Sequence, residues 1–150
     1  VVLCDRDEAA LAAVAPESTD AHRTTSLEAF LATPGLDAVY IATPNDSHRV
    51  LTEVAARTGK HVFCEKPMAT RYEDAEAMVQ ACEIAGVMYA TAFDQRFQAR
   101  HIALRELIQS GALGTVTTIR IHYACWLPAD WAEDNWRIDP ARAGGGAWMD

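Results

Sequence analysis

Basic residues are scarce: 13 Lys and Arg stand against 21 Asp and Glu in 150 residues, a formal net charge of −8. No basic patch offsets that balance, which excludes the electrostatic footprint of a nucleic-acid-binding domain. Long hydrophobic runs are missing too. None approaches the roughly 18 residues a membrane span needs, and Val1 to Asp5 carries no basic region of a secretory signal. These absences point to a cytoplasmic protein with no membrane partner. The four cysteines, Cys4, Cys64, Cys82 and Cys125, form no CxxC pair, so no zinc knuckle or redox motif is visible. They are expected to be reduced and mostly buried, and no metal site is expected.

What is present suits a packed core, with 50% hydrophobic and 23% charged residues. Position 1 is Val within the apolar run Val1-Val2-Leu3-Cys4, which reads as a strand already under way. The sequence stops at Asp150, just after the glycines 144–146. We therefore read it as an internal stretch of a longer protein.

Strands and helices then alternate. Asp7 can cap a helix carrying Ala10, Leu11 and Val14, and Ser26 a short one carrying Leu27, Phe30 and Leu31. Ala38 to Ala42 is an apolar run too short for a helix and reads as a strand buried on both faces. A helix over about Ser47 to Thr58, a strand at His61 to Cys64, a helix from Tyr72 to Ala85 and a strand at Val87 to Phe93 follow. A further helix spans about Gln98 to Ser110. This alternation predicts an α/β, doubly wound parallel sheet over residues 1–113. From residue 114 the texture changes. Thr115 to Tyr123 alternates and is rich in β-branched residues, so a second domain is expected over 114–150.

Ligands in doubly wound sheets sit beyond the carboxyl ends of the strands. Asp5 ends the first strand, where it is either a ribose acceptor or a helix-capping residue. Arg6 beside it is placed to accept the 2′-phosphate of NADP. Thr43-Pro44-Asn45-Asp46-Ser47-His48 joins a strand to a helix N-terminus suited to phosphate or ribose, although Pro and Asn are also ordinary turn residues. Glu65-Lys66-Pro67 fixes a lysine at a strand exit, where it can donate to a substrate oxygen or simply pair with its neighbour. Trp136-Arg137-Ile138-Asp139-Pro140 reads as a rigid turn, and Gly144-Gly145-Gly146 permits close backbone approach.

Taken in order, these pieces resemble the Gfo/Idh/MocA family, the glucose-fructose oxidoreductase and inositol dehydrogenase group of nicotinamide-dependent enzymes. The resemblance covers essentially the whole chain. It rests on the strand ending at Asp5, the TPN turn with His48, the EKP at Glu65 to Pro67, Arg96-Phe97, and the WRxDP…GGGxxxD run from Trp136 to Asp150. One departure is Phe93-Asp94-Gln95, where the family commonly has Asn just before its Arg.

The resemblance implies a Rossmann-type fold lacking its first βα unit with the glycine-rich phosphate turn, followed by the start of a C-terminal α+β substrate domain. It implies that Lys66 and Asp150 are catalytic, the latter as the acid of a D-x-x-x-H motif. It makes Asp5, Arg6, Thr43, Pro44, Asn45, His48, Glu65 and Lys66 cofactor-binding, and Arg96, Trp136 and Arg137 substrate-binding. The implied cofactor is NAD, with NADP possible in principle, and the implied full-length protein is a homo-oligomer.

The reaction expected is hydride transfer between the nicotinamide and a secondary alcohol of a sugar or cyclic polyol. Trp126, Trp131 and Trp136 offer a stacking wall for the ring, or ordinary packing. The alternatives are an NAD-assisted glycosidase and a non-catalytic dinucleotide sensor. The stretch by itself is expected to be inactive and poorly soluble.

Overall fold

The computed structural model describes residues 1–14, 20–124 and 135–145. Among the described residues five strands form two parallel sheets. β1 (Val2–Cys4) pairs with β2 (His22–Thr24), and β3 (Ala38–Ile41), β4 (His61–Cys64) and β5 (Tyr89–Thr91) lie in that order. All pairing is parallel, and each strand after the first is reached through a helical segment, as parallel pairing requires a crossover. The α/β class read from the alternation is the observed one, with the strands in two sheets.

The helices begin where short polar side chains supply the missing acceptors. Asp7 caps α1 (Glu8–Ala13), its Oδ1 accepting from the Ala9 and Ala10 N–H groups at 2.8 and 3.4 Å. Ser26 does the same for α2 (Leu27–Leu31) through the Ala29 N–H at 3.1 Å. At the other end of α4 (Tyr72–Ala85), Gly86 takes φ +66°, a left-handed cap, and the Val87 N–H reaches back to the Cys82 carbonyl at 3.0 Å.

The core lies on one face of the larger sheet. Val39 and Ile41 of β3 and Val62 and Cys64 of β4 meet Ala55 and Ala56 of α3 (His48–Arg57) and Met78 and Cys82 of α4. Leu31 of α2 joins the same cluster, and α2 also contacts β1 and β2, so it links the two sheets. Cys64 and Cys82 are buried thiols and Cys4 is partly buried, while Cys125 lies outside the described residues.

The structure departs from the sequence reading in four places. Buried and exposed residues alternate along β3, and Tyr40 is 56% exposed, so the strand is not buried on both faces. The reason is that α3 and α4 both cover the Val39–Ile41 side, leaving Tyr40 and Phe63 stacked on the other with ring centroids 5.3 Å apart. Residues 115–123 form no strand and are exposed. A strand needs a partner ladder to satisfy its backbone, and none of the described residues supplies one. The strand β2 was not expected at all, being three polar residues that extend by pairing with β1. Finally, α5 (Ala99–Gln109) forms close to the expected span, but none of its residues is buried.

Among the described residues no helix is long and apolar enough to cross a membrane. Thr52, in the middle of α3, is fully buried and its hydroxyl has no hydrogen-bond partner. An unsatisfied buried hydroxyl carries a desolvation cost that an isosteric methyl lacks. Thr52→Val is therefore expected to stabilise the fold by about 1 kcal/mol, read as a higher urea midpoint at unchanged slope. A lower midpoint would mean that the hydroxyl is satisfied in solution.

Candidate active site

The ladder between β3 and β4 ends at the pair Ile41 and Cys64, closed by the Glu65 N–H on the Ile41 carbonyl at 2.8 Å. Both chains then leave the sheet at the same edge. Thr43-Pro44-Asn45 and Glu65-Lys66 emerge side by side and line a cleft of about 410 Å³, together with Ala42, Trp136 and Arg137.

Residues 135–145 reach this edge through contacts distant in sequence. Asn45, nearly fully buried, donates from Nδ2 to the Ala143 carbonyl at 2.8 Å, and Arg142 pairs with the Asp46 carboxylate at 3.3 Å. The segment is ordered locally by its own caps. Asn135 Oδ1 accepts from the Arg137 N–H at 3.0 Å, and Asp139 caps α6 (Pro140–Ala143), with Pro140 at the first helical turn. Arg137 lies over the Trp136 ring, 4.5 Å from its centroid. The rigid turn read at Trp136 to Pro140 is thus a short 3₁₀ turn followed by a capped helix.

Proton accounting fixes what Thr43 offers. Ser47 Oγ donates its one proton to the Pro44 carbonyl at 2.7 Å, so at the 2.6 Å contact between the two hydroxyls Thr43 is the donor. Thr43 Oγ1 therefore presents lone pairs to a ligand and accepts from hydroxyl groups. Glu65 is held on both oxygens, Oε1 accepting from the Tyr40 hydroxyl and Oε2 from the Lys66 N–H at 3.1 Å. The Lys66–Pro67 peptide is cis.

Of the expected site residues, Thr43, Pro44, Asn45, Glu65, Lys66, Trp136 and Arg137 share this cleft. His48 does not line it. Its side chain is fully buried behind the two turns. Asp5 lies at the end of β1, in the other sheet, its Oδ1 accepting from the Asp7 N–H at 2.9 Å, and Arg6 beside it is exposed. Arg96 is exposed in a 3₁₀ turn after β5. Asp150, Trp126 and Trp131 lie outside the described residues. Sequence reasoning missed Tyr40, whose hydroxyl reaches the cleft carboxylate from within a strand.

Residues 1–93 match the model of the Oxidoreductase family with an NAD-binding Rossmann fold, and residues 101–150 the GFO/IDH/MocA C-terminal domain. The chain belongs to the Gfo/Idh/MocA family.

Among its relatives, a 1,5-anhydro-D-fructose reductase of Ensifer adhaerens is 41% identical over 93% of this chain and 41% of its own length. A D-xylose 1-dehydrogenase (NADP(+)) of Haloferax volcanii is 41% identical over 95% of this chain and 43% of its own. The WlbA dehydrogenase of Bordetella pertussis, solved with NADH and UDP-GlcNAcA, is 39% identical, with a TM-score of 0.69 over 74% of this chain and 33% of that one. The chain thus spans less than half the length of these relatives. Sugar dehydrogenases and reductases using either dinucleotide are represented among them, and the Rossmann-type domain is a nicotinamide-cofactor fold.

The residues present fit such a cofactor. A cleft at strand carboxyl ends, next to the start of a helix, offers the hydroxyl acceptor Thr43 and the cations Lys66 and Arg137 to a ribose, an amide or a phosphate.

The Tyr40 phenol is pushed up to about 12, first by its hydrogen bond to Glu65, then by partial burial and the Glu65 charge. A value above the ordinary 10 in the folded state means that this contribution to stability is complete below pH 10 and is lost as pH rises from 10 towards 12. Ultraviolet tyrosinate titration of the wild type against Tyr40→Phe is expected to assign Tyr40 to the late step. A Tyr40 that ionises with the ordinary tyrosines would show that the bond to Glu65 is not made.

Proposed function

We propose that the protein carrying this chain is an NAD(P)-dependent oxidoreductase that transfers a hydride between the nicotinamide and a secondary alcohol carbon of a sugar or cyclic polyol. The observation that carries this reading is the convergence of Lys66 with Thr43, Glu65, Trp136 and Arg137 in one cleft at the carboxyl edge of a parallel sheet. The cofactor, when bound, supplies a hydride acceptor or donor.

The chain's own residues bind and orient the reactants. The hydroxyl proton released as the hydride leaves passes to a general base, which the family resemblance gives as the His of the D-x-x-x-H motif that Asp150 opens. Thr43 Oγ1 accepts from a ribose hydroxyl, and Pro44 and Asn45 shape the turn that receives the dinucleotide. Lys66 Nζ donates a hydrogen bond to the reacting alcohol or carbonyl oxygen, so charge developing there is met by a cation. The Trp136 ring is a flat wall against the carbon face of a sugar, with Arg137 over it to bind ring hydroxyls. Asp150, outside the described residues, is assigned by family resemblance to orienting the reacting groups. Asp5, at the end of β1, is assigned to the adenosine ribose and favours NAD over NADP.

Lys66→Ala in the full-length protein is expected to lower kcat about a hundredfold or more while dinucleotide affinity stays within a few-fold. A sugar and polyol panel followed by NADH formation tests this directly. Unchanged kcat would remove Lys66 from the chemistry. Tight dinucleotide binding with no net NADH from any polyol would overturn the dehydrogenase reading in favour of redox-neutral chemistry or sensing.

Asp5→Ser, assayed with both cofactors, is expected to reduce the preference for NAD over NADP by about tenfold, because the carboxylate that repels a 2′-phosphate is gone. No change in that ratio would place the ribose elsewhere.

A further inference from the structure

His48 is fully buried, yet both of its ring nitrogens meet main-chain oxygens. Nδ1 lies 2.9 Å from the Pro67 carbonyl and Nε2 lies 2.9 Å from the Thr43 carbonyl. The first oxygen belongs to the turn that carries Lys66, the second to the turn that opens the cleft. The β3–β4 ladder, which would otherwise hold these turns in register, ends at Ile41 and Cys64.

We propose that His48 is a positioning residue, whose imidazole ties the Thr43 turn to the Lys66–Pro67 turn beyond the end of the ladder and so sets the spacing between the dinucleotide-binding turn and Lys66. The proposal rests on the functional reading of Lys66 given above. The side chain acts from behind the cleft and touches no ligand. A neutral ring has one N–H and donates to one carbonyl at a time, whereas the charged ring donates to both. Both turns are tied at once when both nitrogens donate; a ring with one N–H ties one turn and sets a lone pair against the other oxygen. Its place on the first turn of α3 fixes it to the helix that follows the Thr43 turn.

The two contacts can be removed one at a time. Asparagine keeps an amide N–H near the position of Nδ1, and so the link to Pro67. Glutamine keeps one near Nε2, and so the link to Thr43. In the full-length protein, His48→Gln is expected to lower kcat about tenfold with the KM for the dinucleotide held, because the Lys66 turn is released. His48→Asn is expected to raise that KM about tenfold with kcat held. A residue that served stability alone would lower the melting temperature in both variants and leave this split unseen.

A second readout needs no turnover. Lys60 and Lys66 are the two lysines of the sequence, so Lys60 is an internal reference for acylation followed by peptide mass spectrometry. His48→Gln is expected to change the Lys66 to Lys60 labelling ratio several-fold in the cofactor-free protein, and His48→Asn to leave it within error. If neither variant folds, the wild type still decides. The His48 ring N–H is expected to exchange with solvent far more slowly than that of an exposed histidine, and fast exchange overturns the bridge.

The outcomes separate the two readings. Turnover in the wild type with no split between the variants, and an unchanged labelling ratio, overturns the bridge and leaves the dehydrogenase standing. A split in dinucleotide affinity and in labelling without turnover on any polyol upholds the bridge and overturns the dehydrogenase.

Discussion

Parallel pairing of β3 with β4 is the constraint on which the site depends. Because the strands run the same way and end in register at Ile41 and Cys64, the chain is compelled to leave both at one edge. An antiparallel pair would send the two turns to opposite ends of the sheet. The Thr43 and Lys66 turns are thus neighbours by topology, although 23 residues separate them in sequence (66 − 43). Burial enforces the register. A slip of one residue in β4 would turn Val62 and Cys64 away from α3 and α4 and present Phe63 instead, so the packing that stabilises the sheet also aligns the cleft.

That alignment was largely legible in the sequence, because its determinants are local. A short apolar run followed by Thr-Pro-Asn or Glu-Lys-Pro is a strand with a defined exit, and Asp7 and Ser26 announce their helices by the bonds they later make. Contacts between distant segments were not legible. Nothing near Asn45 shows that its amide will hold the Ala143 carbonyl, 98 residues away, or that Asp46 will pair with Arg142. His48 illustrates the same limit: the family resemblance implied a place beside the cofactor, whereas the fold turns its ring inward to two carbonyls that no periodicity marks. The polar strand β2 had no hydrophobic signal, since its extension comes from a partner.

The larger sheet is covered unequally. One face is sealed by α3 and α4, while Tyr40 and Phe63 stack on the other with 56% and 46% of their surface exposed. The apolar side chains Leu104, Leu107 and Ile108 of α5 are exposed as well. The cleft is therefore supported from behind by packed helices, on the side where His48 is buried, and its front wall depends on Trp136 and Arg137. This division matches the chemistry assigned to each part. On the proposed reading, the packed side holds the groups whose spacing matters, and the open side those offered to a substrate.

A chain of net charge −8 has to receive a polyanionic dinucleotide, and the local arrangement shows how. At physiological salt, exposed charges more than about 8 Å from the site are largely screened, so the groups at the cleft decide the local potential. Among the described residues Lys66 and Arg137 line it, and the carboxylate in that lining, Glu65, accepts hydrogen bonds from Tyr40 and the Lys66 backbone. Asp46, at the turn, is paired with Arg142. The acidic groups at these turns are therefore engaged by donors, and the lining of the cleft carries the cationic side chains of Lys66 and Arg137. The negative charge of the chain thus coexists with two cationic side chains in the cleft lining, and an anion can be met there without any general basic patch.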